Sequence, residues 1–177
     1  MVKQLTTKIV YANPWMTVRE DEVEFSPGKR GVYGVVEKPD FAMIVPFDGT
    51  HFYLVRQFRY PIQKWSLEFP QGTHETNPNL DPVLLAKAEL QEETGLTAGR
   101  LEEVGFVYEA PGYCNQGFHI FMASDLTVGE QRLESTEQGL TVRKVSVPEL
   151  EQLINTGELS DGPSITAFGL MKSKKLI

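Results

Sequence analysis

The stretch "AELQEETGL", residues 88–96, sets Glu89, Glu92 and Glu93 at a spacing of i, i+3 and i+4. On a helix these positions are neighbours, and like charges that close cost about 0.2–0.5 kcal/mol per pair. Three carboxylates on one turn form a hard, all-oxygen environment of the kind that takes Mg²⁺ or Mn²⁺ together with phosphate. A solvated acidic face is the commoner use of such a charge run. Here "EFPQG" upstream, a strand end followed by a glycine turn, offers a second element to set beside the helix.

The helix that carries the glutamates has clear limits. Asp81 is a good N-cap, Pro82 suits the first helical position and Gly95 is the stop. Val83, Leu84, Ala86, Lys87, Leu90 and Thr94 mark the expected inward stripe, which leaves Glu89, Glu92 and Glu93 on a different, outward-looking face.

Ahead of it, "TKIVYA", "MTVREDEVEF", "GVYGVVEK", "FAMIVPF", "HFYLVRQFR" and "WSLEFP" read as strands rich in β-branched and aromatic residues. "SPGKRG" has the residue chemistry of a turn, and "FDGTH" is a hairpin candidate. After the helix, "RLEEVGFVYE", "GFHIFMAS" and "LTVRKVSV" are further strands, and "VPELEQLINTG" and "SDGPSITAFGLMKSKK" are helical. Strands, helix, strands and helices in that order give a mixed α/β or α+β domain rather than alternating βαβ units.

A chain of 177 residues with 41% hydrophobic and 23% charged residues is long enough for one domain with a real core. The net charge of -7 gives no basic footprint for nucleic acid or an anionic membrane surface. No apolar run approaches about 18 residues, so no transmembrane helix is expected. The first residues lack the apolar core of a signal peptide, and Cys114 is the single cysteine, which excludes an intramolecular disulfide framework. A cytosolic enzyme or binding domain fits these bounds.

The residues "ELQEETGL" match every position in the second half of the Nudix box, and the chain resembles the Nudix hydrolase family. Within that family it looks like the branch of ADP-ribose and nucleoside diphosphate sugar pyrophosphatases. "ANPWMTVREDEVEF", "VVEKPDFAMIVPF", "YLVRQFRYPIQKWSLEFPQG", "FHIFMASDLT" and "GELSDGPSITAF" extend the likeness over nearly the whole chain. The resemblance implies mixed β-sheets sandwiched between helices in a single domain over 1–177. Residues 1–38 would form an N-terminal antiparallel strand region used in dimerisation, and 39–177 the Nudix core.

The first half of the box departs from the family pattern. Two extra residues lie between Gly72 and Glu89, Leu80 stands where a glutamate would fall, and Ala88 replaces an arginine. That arginine mainly holds acidic side chains in place in the family, so its absence should loosen the site rather than remove its ligands. Glu75 in the lengthened loop is a candidate to compensate.

The resemblance further implies hydrolysis of a pyrophosphate bond, giving a nucleoside monophosphate and a sugar phosphate. Glu89 and Glu93 would be metal ligands, Glu92 a ligand or a ligand-orienting partner, and the main-chain carbonyl of Gln71 a further ligand. The general base would sit in "LESTEQGLTV", with Glu137 the first choice and Glu134 the second. Arg59 would contact the diphosphate, as guanidinium groups do well, with a purely structural ion pair as the alternative. Arg56 on the same strand points to the other face. Glu68 would line the same pocket. Trp15 and Tyr33 match aromatic positions that sandwich the base in relatives whose N-terminal strands are exchanged across a homodimer; packing as ordinary strand aromatics is the alternative.

Cys114 has no His and Asn/Asp constellation, so a nucleophile reading is rejected, and His51 and His74 lack zinc-site spacing. The competing class is a Nudix-fold module that binds or senses nucleotide sugars without turnover. Ala88, Leu80 and the longer loop favour it, whereas three clustered glutamates favour the enzyme.

Overall fold

The computed structural model describes all residues of the chain except 75, 76, 78, 79, 135 and 136. Glu75 therefore lies outside the described residues. The described chain folds into three sheets with helices on both sides of the central one.

The central sheet explains why "FAMIVP" is apolar without alternation. Strand β4 (Phe41–Pro46) is buried along its whole length. Met43 and Val45 enter one core, with Phe52, Leu54, Leu150 and Met171. Ala42 and Ile44 enter a second core on the opposite face, with Leu85, Leu90 and Phe121. Successive side chains on a strand point to opposite faces, so a strand covered on both sides reads as a continuous apolar run. It pairs in parallel with β9 (Gly117–Val128) and antiparallel with the short β7 (Gln71–Gly72), while β8 (Leu96–Tyr108) closes the far edge of the sheet.

A second sheet has the order β10 (Thr141–Ser146), β5 (His51–Arg59), β6 (Lys64–Glu68). The "FDGTH" turn forms, with Asp48 Oδ1 accepting from the backbone of Thr50 and His51. The expected hairpin does not continue beyond one bridge, Phe47 to Phe52. Past it β4 and β5 diverge into different sheets, because each has a longer pairing partner elsewhere.

Helix α1 (Pro82–Thr94) starts at the Asp81 cap, whose side chain accepts from Val83 N, and stops at Gly95 with φ 71°. Its buried face differs from the expected stripe. Leu85, Ala86, Glu89, Leu90, Glu93 and Thr94 are buried, whereas Val83 and Leu84 are exposed. Lys87 is exposed as well. The acidic face is thus turned inward and not outward: the helix packs with its glutamates against β7, and an apolar-in, polar-out pattern places them on the wrong side.

Helices α2 (Val147–Thr156) and α3 (Gly162–Ser173) supply Leu150, Leu153, Ala167 and Met171 to the first core. The N-terminal sheet, β1 (Lys3–Asn13), β2 (Met16–Ser26) and β3 (Lys29–Glu37), is antiparallel throughout. It joins the rest through Val36, which exchanges backbone hydrogen bonds with Tyr113 and Asn115. Ile9, Tyr11, Val32 and Tyr33 on it remain exposed. Among the described residues no helix is long and apolar enough to cross a membrane.

Candidate active site

The segment from Glu68 to Gly72 links the end of β6 to β7 and brings two sheets to the acidic helix. It is held at several points. Phe69 N donates to Ser164 Oγ at 2.9 Å on the first turn of α3, and Ile44 N donates to the Pro70 carbonyl at 2.9 Å. Gln71 N donates to Glu93 Oε2 at 3.0 Å. Gly72 lies against the Glu89 carboxylate so closely that a Cβ there would overlap it.

Glu89 and Glu93 are therefore gathered at Gln71–Gly72 in a nearly water-free position, with exposures of 9% and 1%. Burial raises the Glu89 carboxyl to about 8, with Glu92, Glu137 and Glu134 adding to the rise. Burial likewise lifts Glu93 well above the ordinary range, with Glu89 and Glu137 adding; the Gln71 N–H and Arg59 act in the opposite sense. Glu92 is half-buried and also raised, by burial first and then by Glu134 and Glu137, while His74 and Arg132 oppose the rise. Buried carboxyls that repel one another are proton-hungry or cation-hungry groups.

The loop after β9 is fixed to the end of the same helix. Gln131 Nε2 donates to the Glu93 carbonyl at 2.6 Å, Arg132 N to the Glu92 carbonyl at 3.0 Å, and Gly129 N to the Gly95 carbonyl at 2.7 Å. The last carbonyls of a helix have no partner within it, so the loop satisfies groups that would otherwise face water. Farther along, Glu134 N donates to Glu137 Oε2 at 2.9 Å, and both residues stand near enough to raise the helix carboxyls.

Gln71 and Gly72 also line a cavity of about 540 Å³, with Arg59, Glu68, Gln116 and Asp161 in its walls. Arg59 and Glu68 form a two-pronged ion pair, Nε to Oε1 at 2.9 Å and Nη2 to Oε2. Burial alone would raise Glu68, but Arg59, Ser66 and Gln71 together hold it below the usual carboxylate range. Asp161 is pushed up by burial and by Glu68, although its cap bond to Ser164 N opposes the rise. Arg56 turns away and stacks over Trp65 at 4.3 Å.

Trp15 and Tyr33 are not brought to this cavity within one chain. Trp15 sits in the turn between β1 and β2, where Asn13 Oδ1 accepts from Trp15 N and Met16 N. It borders a separate shallow groove with Lys38, Pro39 and Asn115. Tyr33 lies on β3 near Phe25, with ring centroids 6.1 Å apart. Cys114 is buried and free, and His119 pairs with Glu103 at 2.8 Å.

Among the described residues no three His, Cys, Asp or Glu side chains already stand together as a metal cage. The donor chemistry nevertheless fits a hard divalent cation: two oxygen-only carboxylates share a buried position, and Glu92 and Glu137 are in electrostatic range of Glu89. Sequence reasoning missed the wall residues Glu109, Gln116 and Asp161, and the anchors Gln131 and Arg132. The signal for Asp161 was present, since Asp-Gly-Pro before an apolar run is an N-cap pattern.

Comparison with known proteins agrees with this architecture. Residues 2–36 match the nucleoside diphosphate sugar hydrolase N-terminal domain, and residues 37–168 match the NUDIX domain. The chain is 27% identical over 177 residues to an ADP-ribose pyrophosphatase of Bacillus subtilis (strain 168), covering 99% of this chain and 95% of that protein. It is 26% identical over 171 residues to the ADP compounds hydrolase NudE of Escherichia coli (strain K12), covering 95% and 90%. It is 23% identical over 177 residues to a methanol dehydrogenase activator of Bacillus methanolicus, covering 99% and 95%. The crystal structure of an ADP compounds hydrolase superposes with a TM-score of 0.85 at 24% identity, covering 97% of this chain and 92% of that one, a likeness of fold.

Proposed function

The chain belongs to the Nudix hydrolase family, and from that premise we propose that it hydrolyses the pyrophosphate bond of ADP-ribose or another nucleoside diphosphate sugar. The products would be a nucleoside monophosphate and a sugar phosphate. The observation that carries this reading is the pair Glu89 and Glu93, buried at Gln71–Gly72 beside a cavity walled by Arg59.

Pyrophosphate cleavage asks for charge neutralisation on the phosphate oxygens, a positioned water and a base. Glu89 and Glu93, with Glu92 and the Gln71 carbonyl, would hold Mg²⁺ or Mn²⁺. When bound, the ion supplies Lewis-acid polarisation of the phosphate. Arg59, locked by Glu68 and directed to the cavity, binds the diphosphate. Glu137 takes the proton from the attacking water, with Glu134 the alternative. The loop that carries both is set against the acidic helix by Gln131 and Arg132.

The exposed apolar residues of the N-terminal sheet support a homodimer in which residues 1–38 reach the partner, with Trp15 and Tyr33 stacking the base there. A single species at monomer mass in gel filtration would remove that role for both rings. A cytosolic enzyme without nucleic-acid or membrane partners is consistent with the acidic charge and the lone cysteine.

A second reading, a module that binds nucleotide sugars without turnover, draws on Ala88 in place of the arginine and Leu80 in place of a glutamate. One experiment separates the two: phosphate release through a coupled phosphatase from ADP-ribose, GDP-mannose, UDP-glucose, ADP-glucose and diadenosine polyphosphates, with and without Mg²⁺. Metal-dependent release that disappears in Glu93→Gln supports the enzyme. Binding without release supports the module.

A further inference from the structure

Gln71 bonds to both halves of the site through different parts of itself. Its main-chain N donates to Glu93 Oε2 at 3.0 Å, and its side-chain Nε2 donates to Glu68 Oε2 at 2.9 Å. The first contact belongs to the acidic helix and the second to the cavity wall. The cleavage chemistry described above uses the main chain of this residue and leaves its side chain unused.

The side-chain bond bears on Arg59. Glu68 is 1% exposed, so its carboxylate depends on protein donors. Arg59 supplies Nε to Oε1 at 2.9 Å and Nη2 to Oε2, and Gln71 brings a further donor to Oε2 from another strand. A two-pronged bond fixes two planar groups to each other; a donor from outside the pair fixes them both to the fold. Nη1 of Arg59 takes no part in the pair, and the side chain is 40% exposed in the cavity wall. That edge is left for a phosphate oxygen, so its direction depends on where Glu68 is held.

The amide of Gln71 has one workable orientation, because turned over it would set Oε1 against a carboxylate oxygen. Its main chain is held independently of the side chain. Residue 71 pairs with Met43 of β4, and the Pro70 carbonyl accepts from Ile44 N at 2.9 Å. Loss of the amide should therefore release Glu68 and Arg59 without moving the N–H that Glu93 uses.

Resting on the reading of the site as a nucleoside diphosphate sugar pyrophosphatase, we propose that the side chain of Gln71 is a positioning residue for the diphosphate: it holds the Glu68 carboxylate, which in turn aims Arg59 at the phosphates.

The test uses the full chain as wild type, Gln71→Met, Arg59→Met and the double variant. Calorimetry reads ADP-ribose binding without metal, and steady-state kinetics reads KM, kcat and the Mg²⁺ concentration for half-maximal rate. Gln71→Met should weaken metal-free binding and raise KM by about 10-fold each, within the range for partners in one hydrogen-bonded network. The kcat and the Mg²⁺ requirement should change by about 2-fold at most, since the acidic pair keeps its main-chain donor. In the Arg59→Met background the same substitution should cost about 2-fold or less, because the group it positions is gone. Should Arg59→Met not fold, Arg59→Lys takes its place, keeping the charge and losing the fork.

A loss of about 10-fold that persists without Arg59 would overturn the proposal, as would unchanged binding in Gln71→Met. A fall in kcat with a higher Mg²⁺ requirement would assign the residue to the acidic pair instead, and overturn it too. A wild type that binds ADP-ribose without cleaving it would favour the binding module, and the calorimetric arm alone then decides the role of Gln71. A wild type that neither binds nor cleaves it would remove the substrate reading, and this role with it.

Discussion

The carboxylate of Glu89 occupies the space that a Cβ on Gly72 would need. Position 72 has no left-handed backbone requirement, so the glycine is there for close approach. Gly72→Ala should push the carboxylate out of its place against β7 without preventing folding. The expected outcome is a loss of about 10²-fold in kcat/KM, the scale of a misplacement near 1 Å at a reacting centre. The stability cost should be about 1–3 kcal/mol, as for added core volume. Steady-state kinetics beside urea unfolding would separate the two, and wild-type activity in the variant would show that Glu89 need not sit there.

Glu93→Gln should move activity and metal-free stability in opposite directions. The wild-type carboxyl is buried, raised well above its ordinary range and opposed by Glu89. A neutral amide removes that repulsion, and its oxygen can still accept from Gln71 N. Metal-free Glu93→Gln should therefore melt at or above the wild-type temperature at pH 8, while turnover falls by about 10²-fold or more, as when a charge-stabilising group is lost. Loss of both would point to a structural role for the carboxylate instead.

Metal binding should release protons near neutrality. The folded chain holds the Glu89 proton up to about 8, against an ordinary value of 4.5. Its folded value is the higher one, so its contribution to stability is full below about 4.5 and is lost as the pH rises through about 8. A cation competes with that proton, so Mg²⁺ or Mn²⁺ affinity should rise across the same window and level off above it. Calorimetric titration at pH 7 in two buffers of different ionisation enthalpy should give a buffer-dependent heat. Equal heats would mean that Glu89 is already ionised in the metal-free protein.

How much of this was legible in the sequence depends on what set each feature. The limits of α1 follow from Asp81, Pro82 and Gly95, which act locally, and the structure has all three in those roles. The orientation of the helix was not legible in the same way. Periodicity assumes that glutamates seek water, and Glu89 and Glu93 break the assumption because they are buried against Gln71 and Gly72. The partners of "FDGTH" escaped for a related reason. A turn is coded by adjacent residues, whereas the choice of β9 for β4 and of β10 for β5 is made by segments more than 70 residues away. Gln116 left no pattern, since the meaning of its amide lies in a contact with Pro39 across 77 positions.

Glu137 and Glu134 can be told apart because their bonding is unequal. Glu137 Oε2 accepts from Glu134 N at 2.9 Å, so the Glu137 side chain also shapes the loop, while Glu134 contributes its main chain to that contact. Glutamine at 137 keeps an oxygen for the bond but cannot take a proton from water. If Glu137 is the base, Glu137→Gln should lower kcat by about 10²–10⁴-fold, the usual scale of general-base catalysis, with little change in KM. Glu134→Gln should then stay within about 10-fold of the wild type, because it removes a nearby charge and not the proton acceptor. The pH profile supplies the second criterion: the acidic limb of log kcat should flatten in the variant that lacks the base and persist in the other. A flattened limb in Glu134→Gln, with Glu137→Gln near wild type, would exchange the two roles.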